Sequence, residues 1–395
     1  MKIVMLCDLY DVRAQYQENL LAKYYAKHGH EVTVIAGPYD STREFVAHRQ
    51  APTSRRRDLR DGAVKVIKLR YSLNVVNRLR RFSGVAAILN DEKPDVIFVH
   101  DIHLNLPEAA SYKRSHAACR LIMDFHADFS NSARNWMSLA ILHKLIRRPI
   151  LHRYLRYLDA VYAVVPKSAE FLQDVYGVAP ERIELLPLGA DTDAVRDAED
   201  QQLGRAIRRR LGIPDEAITV FTGGKLTPLK ETHVLVDAFL SLDNARLHLL
   251  VAGSGDGPDA SYVANLRRMC LGNDRVHFVG WLDGADVYAH MNACDFAVFP
   301  ASQSVLWQQA LAVGLPLIVG EGSARGSQDS SYLNQCGNMV ILRREQVRPA
   351  LVAAEIGKLL ADPELLASRQ AGARRVGSGL LNYHRIVKQT LGGDK

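Results

Sequence analysis

Short apolar runs alternate with helical patterns along nearly the whole of this 395-residue chain. Nothing else in the sequence restricts the fold so strongly. The runs KIVMLC, EVTVIAG, AVKVIKLR, DVIFVH, RLIMDFH, AVYAVV and RIELLP mark strands in the first half. Helical stretches at 16–28, 75–90, 104–116, 134–157 and 167–176 separate them. The second half repeats the scheme with AITVFTGG, LHLLVAGSG, RVHFVG, FAVFP, LPLIVG and GNMVIL. Its helices are expected near 229–242, 259–271, 283–293, 304–313 and 345–361. Strand–helix alternation of this kind predicts an α/β fold with parallel sheets. A chain this long outgrows one core, so two doubly wound domains are expected. The polar, aperiodic segment LPLGADTDAVRDAEDQQ is the expected linker. Ligand sites in such domains form at the carboxyl ends of the strands, here facing one another across a cleft.

Composition removes several function classes. Five scattered cysteines without CxxC spacing argue against a disulfide framework or a zinc site and for a reducing compartment. The opening MKIVMLCDLY has too short an apolar stretch for a signal peptide, so a cytoplasmic protein is expected. No window reaches the roughly 18–20 apolar residues of a membrane span. The net charge of +7 sits in the first half. Up to Pro187 there are 28 Lys and Arg against 20 Asp and Glu, and beyond it 22 against 23. No basic–aromatic motif accompanies the charge, so nucleic acid is not the expected partner. An anionic membrane surface, a phosphorylated substrate or a merely solvated basic face all suit it. Within 134–158, Trp136, Leu139, Leu142 and Leu145 are interleaved with Lys144, Arg147, Arg148, Arg153 and Arg156, as in an interfacial helix.

Chemistry-bearing residues collect at the expected strand ends. VHD (99–101) and DFHAD (124–128) place His100, Asp101, His126 and Asp128 there, as a site or as ordinary hydrogen-bonded residues. Neither His100 nor His126 stands in an HxH or HxxxH pair, so no metal is expected. After the first strand, a helix start carries Gln15 and Tyr16, which either touch a substrate or cap the helix. In the second half GGKLTPLKETHVLVDAF joins Gly223 and Gly224 to Lys225, Lys230 and a helix N-terminus. That combination suits a diphosphate cradle, although it is not a P-loop.

Taken in order, HGHEVTVIAG, DFHAD, LLPLGADTDAV, FTGGKLTPLKETHVLVDAF, LLVAGSGDGPD, VHFVGWL, ACDFAVFP and QQALAVGLPLIV resemble a GT-B glycosyltransferase. The similarity is to the retaining family 4, which builds bacterial polysaccharides and glycolipids. It covers nearly the whole chain and is densest from Leu186 to Val319. It implies an N-terminal acceptor-side domain over 1–187 and a nucleotide-sugar domain over 188–373. A last helix, about 374–395, is expected to cross back onto the first domain.

The resemblance implies that His126 faces the donor sugar and that Lys225, Lys230 and Gly224 grip the diphosphate. The helix opening at Ser304 and Val305 would aim its N–H groups at the same phosphates. Val279 and Gly280 match the turn that reads the base, and Gln15, Tyr16, His100 and Asp101 fall on the acceptor side. The sequence also departs from the family. Ala14 and Gln15 replace a glycine pair, Leu188 replaces an asparagine, and Ala301 and Gln309 replace two glutamates. Gln309, with Gln308 as its rival, is expected to take the ribose, and Gln303 to approach the donor sugar.

The expected activity is metal- and cofactor-independent transfer from a nucleotide diphosphate sugar, first of all a UDP-sugar. The acceptor would be a hydroxyl of a glycan or lipid-linked saccharide in surface polysaccharide or lipopolysaccharide assembly. A cytoplasmic enzyme, peripheral on the inner membrane face, fits that role. The alternatives are a GT-B sugar-nucleotide epimerase or hydrolase, and a sugar-nucleotide-binding pseudoenzyme.

Overall fold

The computed structural model describes residues 1–46, 56–75, 77–129, 131–133, 135–255, 257–301, 304–321 and 330–393. The chain divides into two compact units, Met1–Leu188 with Tyr383–Lys395, and Gly189–Asn382. Both are parallel sheets flanked by helices, the architecture of the GT-B fold.

The first unit contains β1 (Lys2–Cys7), β2 (Glu31–Ala36), β3 (Arg57–Asp61), β4 (Val64–Lys68), β5 (Tyr71–Val75), β6 (Leu79–Phe82), β7 (Val96–His100), β8 (Arg120–Phe125), β9 (Ala160–Ala163) and β10 (Ile183–Leu185). Eight of them form one sheet in the order β10-β9-β8-β7-β1-β2-β4-β3. All its pairings are parallel except that of β3 with β4. The central strands are buried on both faces, which is why they read as unbroken apolar runs. From β1 the chain winds one way to β2 and the other way to β7. Their carboxyl ends therefore flank the switch point where α/β sheets place ligands.

The C-terminal helix Tyr383–Thr390 belongs to this unit. Tyr383 stacks on Tyr24, Thr390 bonds to the Tyr25 hydroxyl, and the Thr390 carbonyl accepts from Arg120 Nε at 3.1 Å.

The second unit contains β11 (Ile218–Lys225), β12 (Leu247–Ser254), β13 (Val276–Gly280), β14 (Phe296–Phe299), β15 (Leu317–Gly320) and β16 (Met339–Leu342). They form an all-parallel sheet in the order β13-β12-β11-β14-β15-β16, with its switch point between β11 and β14. Val220, Leu235, Leu249, Phe296 and Ile356 are fully buried in its core. Each such side chain contributes about 1.5–3 kcal/mol of burial.

Three local expectations are corrected. The helix expected over 75–90 is a hairpin, β5 paired antiparallel with β6, followed by the shorter helix Val85–Glu92. The helix expected over 134–157 is wound as a π-helix over Ser138–Arg147, then as an α-helix over Arg148–Tyr154. The segment taken as a linker holds the helix Thr192–Asp200, whose N-cap Asp191 accepts from Ala194 N at 3.3 Å. Its buried residues, Asp193, Val195 and Ala198, include no large apolar side chain, so the segment read as polar.

Candidate active site

In the first unit the site grows from the ends of β1, β7 and β8. His100 ends β7 and places Nδ1 3.2 Å from Asp124 Oδ1. His126 follows β8 and places Nε2 2.9 Å from Asp124 Oδ2. Asp124 is wholly buried, while the His126 side chain keeps 25% of its exposure. The two imidazole centroids are 4.3 Å apart. One buried carboxylate thus serves two histidines. Their ligand atoms lie within 4.8 Å of one another, so these three residues are also the group that would hold a divalent cation.

Electrostatics follow from this sharing. Burial alone would lower the proton affinity of His100, but the Asp124 carboxylate outweighs it, helped by Glu18 and Asp101. The His100 pKa is pushed up to about 10. Burial would raise Asp124, and the two imidazoles outweigh that, holding its carboxyl well below the usual range.

Asp101 closes the cluster. Its backbone is left-handed at φ 60°, a conformation that costs an aspartate little compared with larger side chains. Its N–H donates to the Asp124 carbonyl at 3.1 Å, and its Oδ1 accepts from His126 N at 3.3 Å. Asp128 is spent on the loop itself, where it exchanges bonds with Asn131. Beyond β1, Asp8 pairs with Arg80 and, at 3.1 Å, with His103 Nε2.

Gln15 and Tyr16 stand apart from the histidines. Gln15 lines a cavity of about 520 Å³ along the helix Gln17–Lys27, with Arg13, Asn19, Lys23 and Lys27. Tyr16 is the N-cap of that helix without a side-chain capping bond, and its hydroxyl accepts from Thr42 Oγ1 at 3.3 Å. Among the described residues neither is hydrogen-bonded to the His100–Asp124–His126 cluster.

In the second unit Gly224 and Lys225 end β11. Gly224 takes φ 111°, open to glycine, and a Cβ added there would sit 3.4 Å from Leu306. The β11 end therefore lies against the first turn of the helix Val305–Val313. Gly223 and Gly253 have a further reason to be glycine, since side chains on them would strike the neighbouring strand's backbone. Lys225 Nζ is 3.4 Å from Asp259. Lys230 ends the single turn Pro228–Lys230, and burial lowers its proton affinity.

Ser304 is the N-cap of the helix Val305–Val313, its Oγ accepting from Leu306 N at 3.4 Å. Val305, the first helical residue, is exposed. Such a helix start offers N–H groups and a positive dipole end to an anion. Gln308 and Gln309 are both buried. Gln308 turns towards the Tyr332 hydroxyl, or with its amide reversed towards the carbonyls of Ser304 and Val305. Gln309 Nε2 donates to the Tyr288 hydroxyl at 3.4 Å, and its Oε1 has no partner among the described residues. Gln303 lies outside the described residues. Val279 and Gly280 end β13, with Gly280 at φ 80° and the exposed Trp281 next in the chain.

Sequence reasoning missed Asp124 as a functional group. The signal was one acidic residue after the apolar run LIM in the strand RLIMDF.

Comparison with known proteins places these features in a family. Residues 19–194 match the Glycosyltransferase Family 4 model, and residues 217–362 match Glycosyl transferases group 1. A D-inositol 3-phosphate glycosyltransferase of Geodermatophilus obscurus is 29% identical over 241 residues, 58% of this chain. Its namesake in Stackebrandtia nassauensis is 28% identical over 227 residues, 54% of this chain. The matches span about half the length of these relatives, 50% and 49%. In fold, the chain is similar to Anabaena HepE in complex with UDP and glucose, with TM-score 0.65, 18% identity, and 99% and 98% of the two chains covered. It is also similar to WaaG, a glycosyltransferase involved in lipopolysaccharide biosynthesis, at TM-score 0.58, 16% identity, and 99% and 100% coverage.

Proposed function

Since the chain is a family 4-like glycosyltransferase with the GT-B fold, we propose that it moves a sugar from a UDP-sugar to an acceptor hydroxyl, with retention. The observation that carries this reading is the convergence of Gly224, Lys225 and the helix start at Ser304 on the switch point of the second sheet. Glycine, cation and helix N-terminus there suit a leaving diphosphate.

The barrier lies in parting from that diphosphate while positive charge grows on the anomeric carbon. Lys225, Lys230 and the N–H groups at Ser304 and Val305 would stabilise the departing charge. Gln309 would meet the ribose, the backbone at Val279 and Gly280 the base, and His126 a sugar hydroxyl. We assign no metal to the reaction, because lysines and backbone N–H groups supply the positive field.

For the acceptor we propose a glycan or lipid-linked saccharide of surface polysaccharide assembly. The first unit would bind it through His100 and Asp101, with Gln15 and Tyr16 at the start of the neighbouring helix. The name of the inositol phosphate relatives favours a second reading, a small phosphorylated polyol. The basic excess of the first half suits a phosphorylated acceptor.

The test is a thermal-shift panel of UDP-, GDP-, ADP- and dTDP-sugars, followed by product analysis with each acceptor class. A donor at 100 times its Kd should stabilise the fold by about 2.7 kcal/mol. If no nucleotide sugar shifts the melt, the donor assignment fails. If donor is consumed without acceptor, the protein is a hydrolase or epimerase. Binding without turnover marks a pseudoenzyme.

A further inference from the structure

We propose that a cavity of about 540 Å³ on the first unit, lined by Arg114, Arg153 and Arg156, binds a multiply charged phosphate group, a phosphomonoester or a diphosphate. The cavity shares no residue with the His100–Asp124–His126 cluster or with Gln15 and Tyr16. It therefore does not rest on the proposed sugar transfer.

Two helical walls build the site. On the helix Leu106–Ser115, Pro107, Ala110, Ser111 and Arg114 recur three and four residues apart and so share one face. Ala110 and Ser111 are small, which leaves room beside Arg114. The helix Arg148–Tyr154 and the 3-10 turn Leu155–Tyr157 supply Arg153 and Arg156 on the other wall. The volume falls in the range that holds small organic ligands, roughly 300–1,000 Å³.

Two tyrosines order the cations. The Arg153 guanidinium carbon is 6.0 Å from the Tyr154 ring centroid, and that of Arg156 is 4.9 Å from the Tyr157 centroid. A guanidinium held over a ring keeps N–H groups for an anion. Arg156 Nη2 also donates to the Tyr157 hydroxyl at 3.0 Å, which leaves the phenol proton to donate to a ligand.

No carboxylate answers these charges. Among the described residues the cavity has no Asp or Glu in its lining, and none of the three arginines is in an ion pair. Glu108, next to Pro107, pairs with Arg81. Asp159 pairs with Lys113 at 3.0 Å and accepts from Leu121 N at 2.7 Å. The last turn of a helix favours a cation, which accounts for Arg114 and Arg153 one at a time. It does not account for their sharing a cavity with Arg156, where like charges repel. An anion of two or more charges removes that repulsion, and arginine forks match phosphate oxygens in pairs. A carboxylate, with one charge and two oxygens, leaves most of the field unmet.

Calorimetric titration of the full chain with inorganic pyrophosphate tests the site. It is done in the Lys225→Ala/Lys230→Ala variant, so that the second unit's lysines do not contribute. That variant should bind pyrophosphate. Adding Arg114→Gln, Arg153→Gln and Arg156→Gln together should weaken binding about tenfold or more. The melting temperature should hold, since all three side chains are exposed. Lys at the same three positions keeps the charge but loses the fork, and should also weaken binding several-fold. No binding by the folded double lysine variant overturns the proposal, and so does full affinity after the Gln substitutions. Full affinity after the Lys substitutions overturns it too, by reducing the cavity to a diffuse basic surface. Should the Gln variant fail to fold, the Lys variant decides. Vesicles identify the source of the phosphate, because phosphatidic acid displays a phosphomonoester and phosphatidylglycerol a phosphodiester. Sedimentation with the first alone, lost after the Gln substitutions, assigns a lipid headgroup. Pyrophosphate binding without that preference assigns a soluble phosphorylated ligand.

Discussion

Lys225 Nζ lies 3.4 Å from the Asp259 carboxylate, while the lysine side chain stays 65% exposed. An ion pair so open to water is worth little, so Lys225 can trade Asp259 for a diphosphate. Replacing Lys225 or Lys230 by Ala should weaken donor binding and lower turnover, by about 2–4 kcal/mol of transition-state stabilisation. Asp259→Asn should leave donor affinity unchanged or tighten it. Steady-state kinetics decide: wild-type behaviour in the double lysine variant would remove both residues from the phosphate site.

His126→Ala should cut kcat strongly and leave the melting temperature and nucleotide affinity close to wild type. The ring is partly exposed, and the fold does not depend on it for core volume. If melting temperature falls together with activity, His126 is a structural residue. EDTA should leave wild-type turnover nearly unchanged, and a loss restored by added divalent cation would return the His100–Asp124–His126 group to the role of metal ligands.

Much of the fold was legible because parallel strands buried on both faces must be continuous apolar runs. All six strands of the second sheet were located this way. The hairpin at 71–82 was not. Val75, Leu79 and Phe82 follow one another at the helical spacings of four and three, and among the described residues the turn that reverses the chain holds Asn77 at φ 52°. A π-helix is illegible for another reason, since its apolar face looks like that of any amphipathic helix. At the site, histidines at strand ends and glycines before lysines were visible. Asp124 was hidden because His100 meets it only once β7 and β8 pair, with the two residues opposite in register, although His126 lies just two residues further along.

Acid should weaken the fold through His143. Burial, with Arg147 and Arg78 nearby, pushes this histidine down to about 4, and it bonds Ser132 and, at 2.6 Å, the Tyr176 hydroxyl. The unfolded chain takes up this proton near pH 6.5 and the folded one only near pH 4. Stability present above pH 6.5 is therefore lost as pH falls through that window, up to about 3 kcal/mol. His100 works in the opposite sense, its contribution fading only as pH climbs towards 10. Urea midpoints from pH 7 to 4.5 should drop more steeply in wild type than in His143→Gln. Parallel slopes would show that another group governs the acid limb.

The π-helix and the segment before it expose Trp136, Met137, Ile141 and Leu145. Ile141, Leu142, Ile146 and Val75 line a groove of about 610 Å³ there, with Arg78 beside them. Lys144 and Arg148 are exposed nearby. Apolar side chains among cations suit the surface of an anionic bilayer, although no helix among the described residues is long and apolar enough to cross one. Sedimentation should show binding to anionic liposomes that neutral ones lack, and Trp136→Ser with Leu145→Ser should abolish it. Equal binding to both liposomes, or to neither, removes the electrostatic role.

The two glutamines on the helix Val305–Val313 should separate. Gln308 is 1% exposed and satisfies its amide within the unit, on Tyr332 or on the helix's own start. Gln309 gives its Nε2 to Tyr288, whose hydroxyl also accepts from Asp191 N at 2.8 Å. That arrangement leaves Gln309 Oε1 buried without a partner among the described residues. An unsatisfied acceptor of this kind costs about 1–3 kcal/mol, and a ribose hydroxyl donating to it would recover that cost on binding. Gln309→Ala should therefore weaken donor binding in calorimetry by about 1–3 kcal/mol, with little loss of stability. Gln308→Ala should do the reverse, lowering the melting temperature while donor Kd holds. If neither substitution moves donor Kd beyond error in a folded protein, the ribose is held elsewhere. If Gln308→Ala alone moves it, the ribose contact belongs to that residue instead.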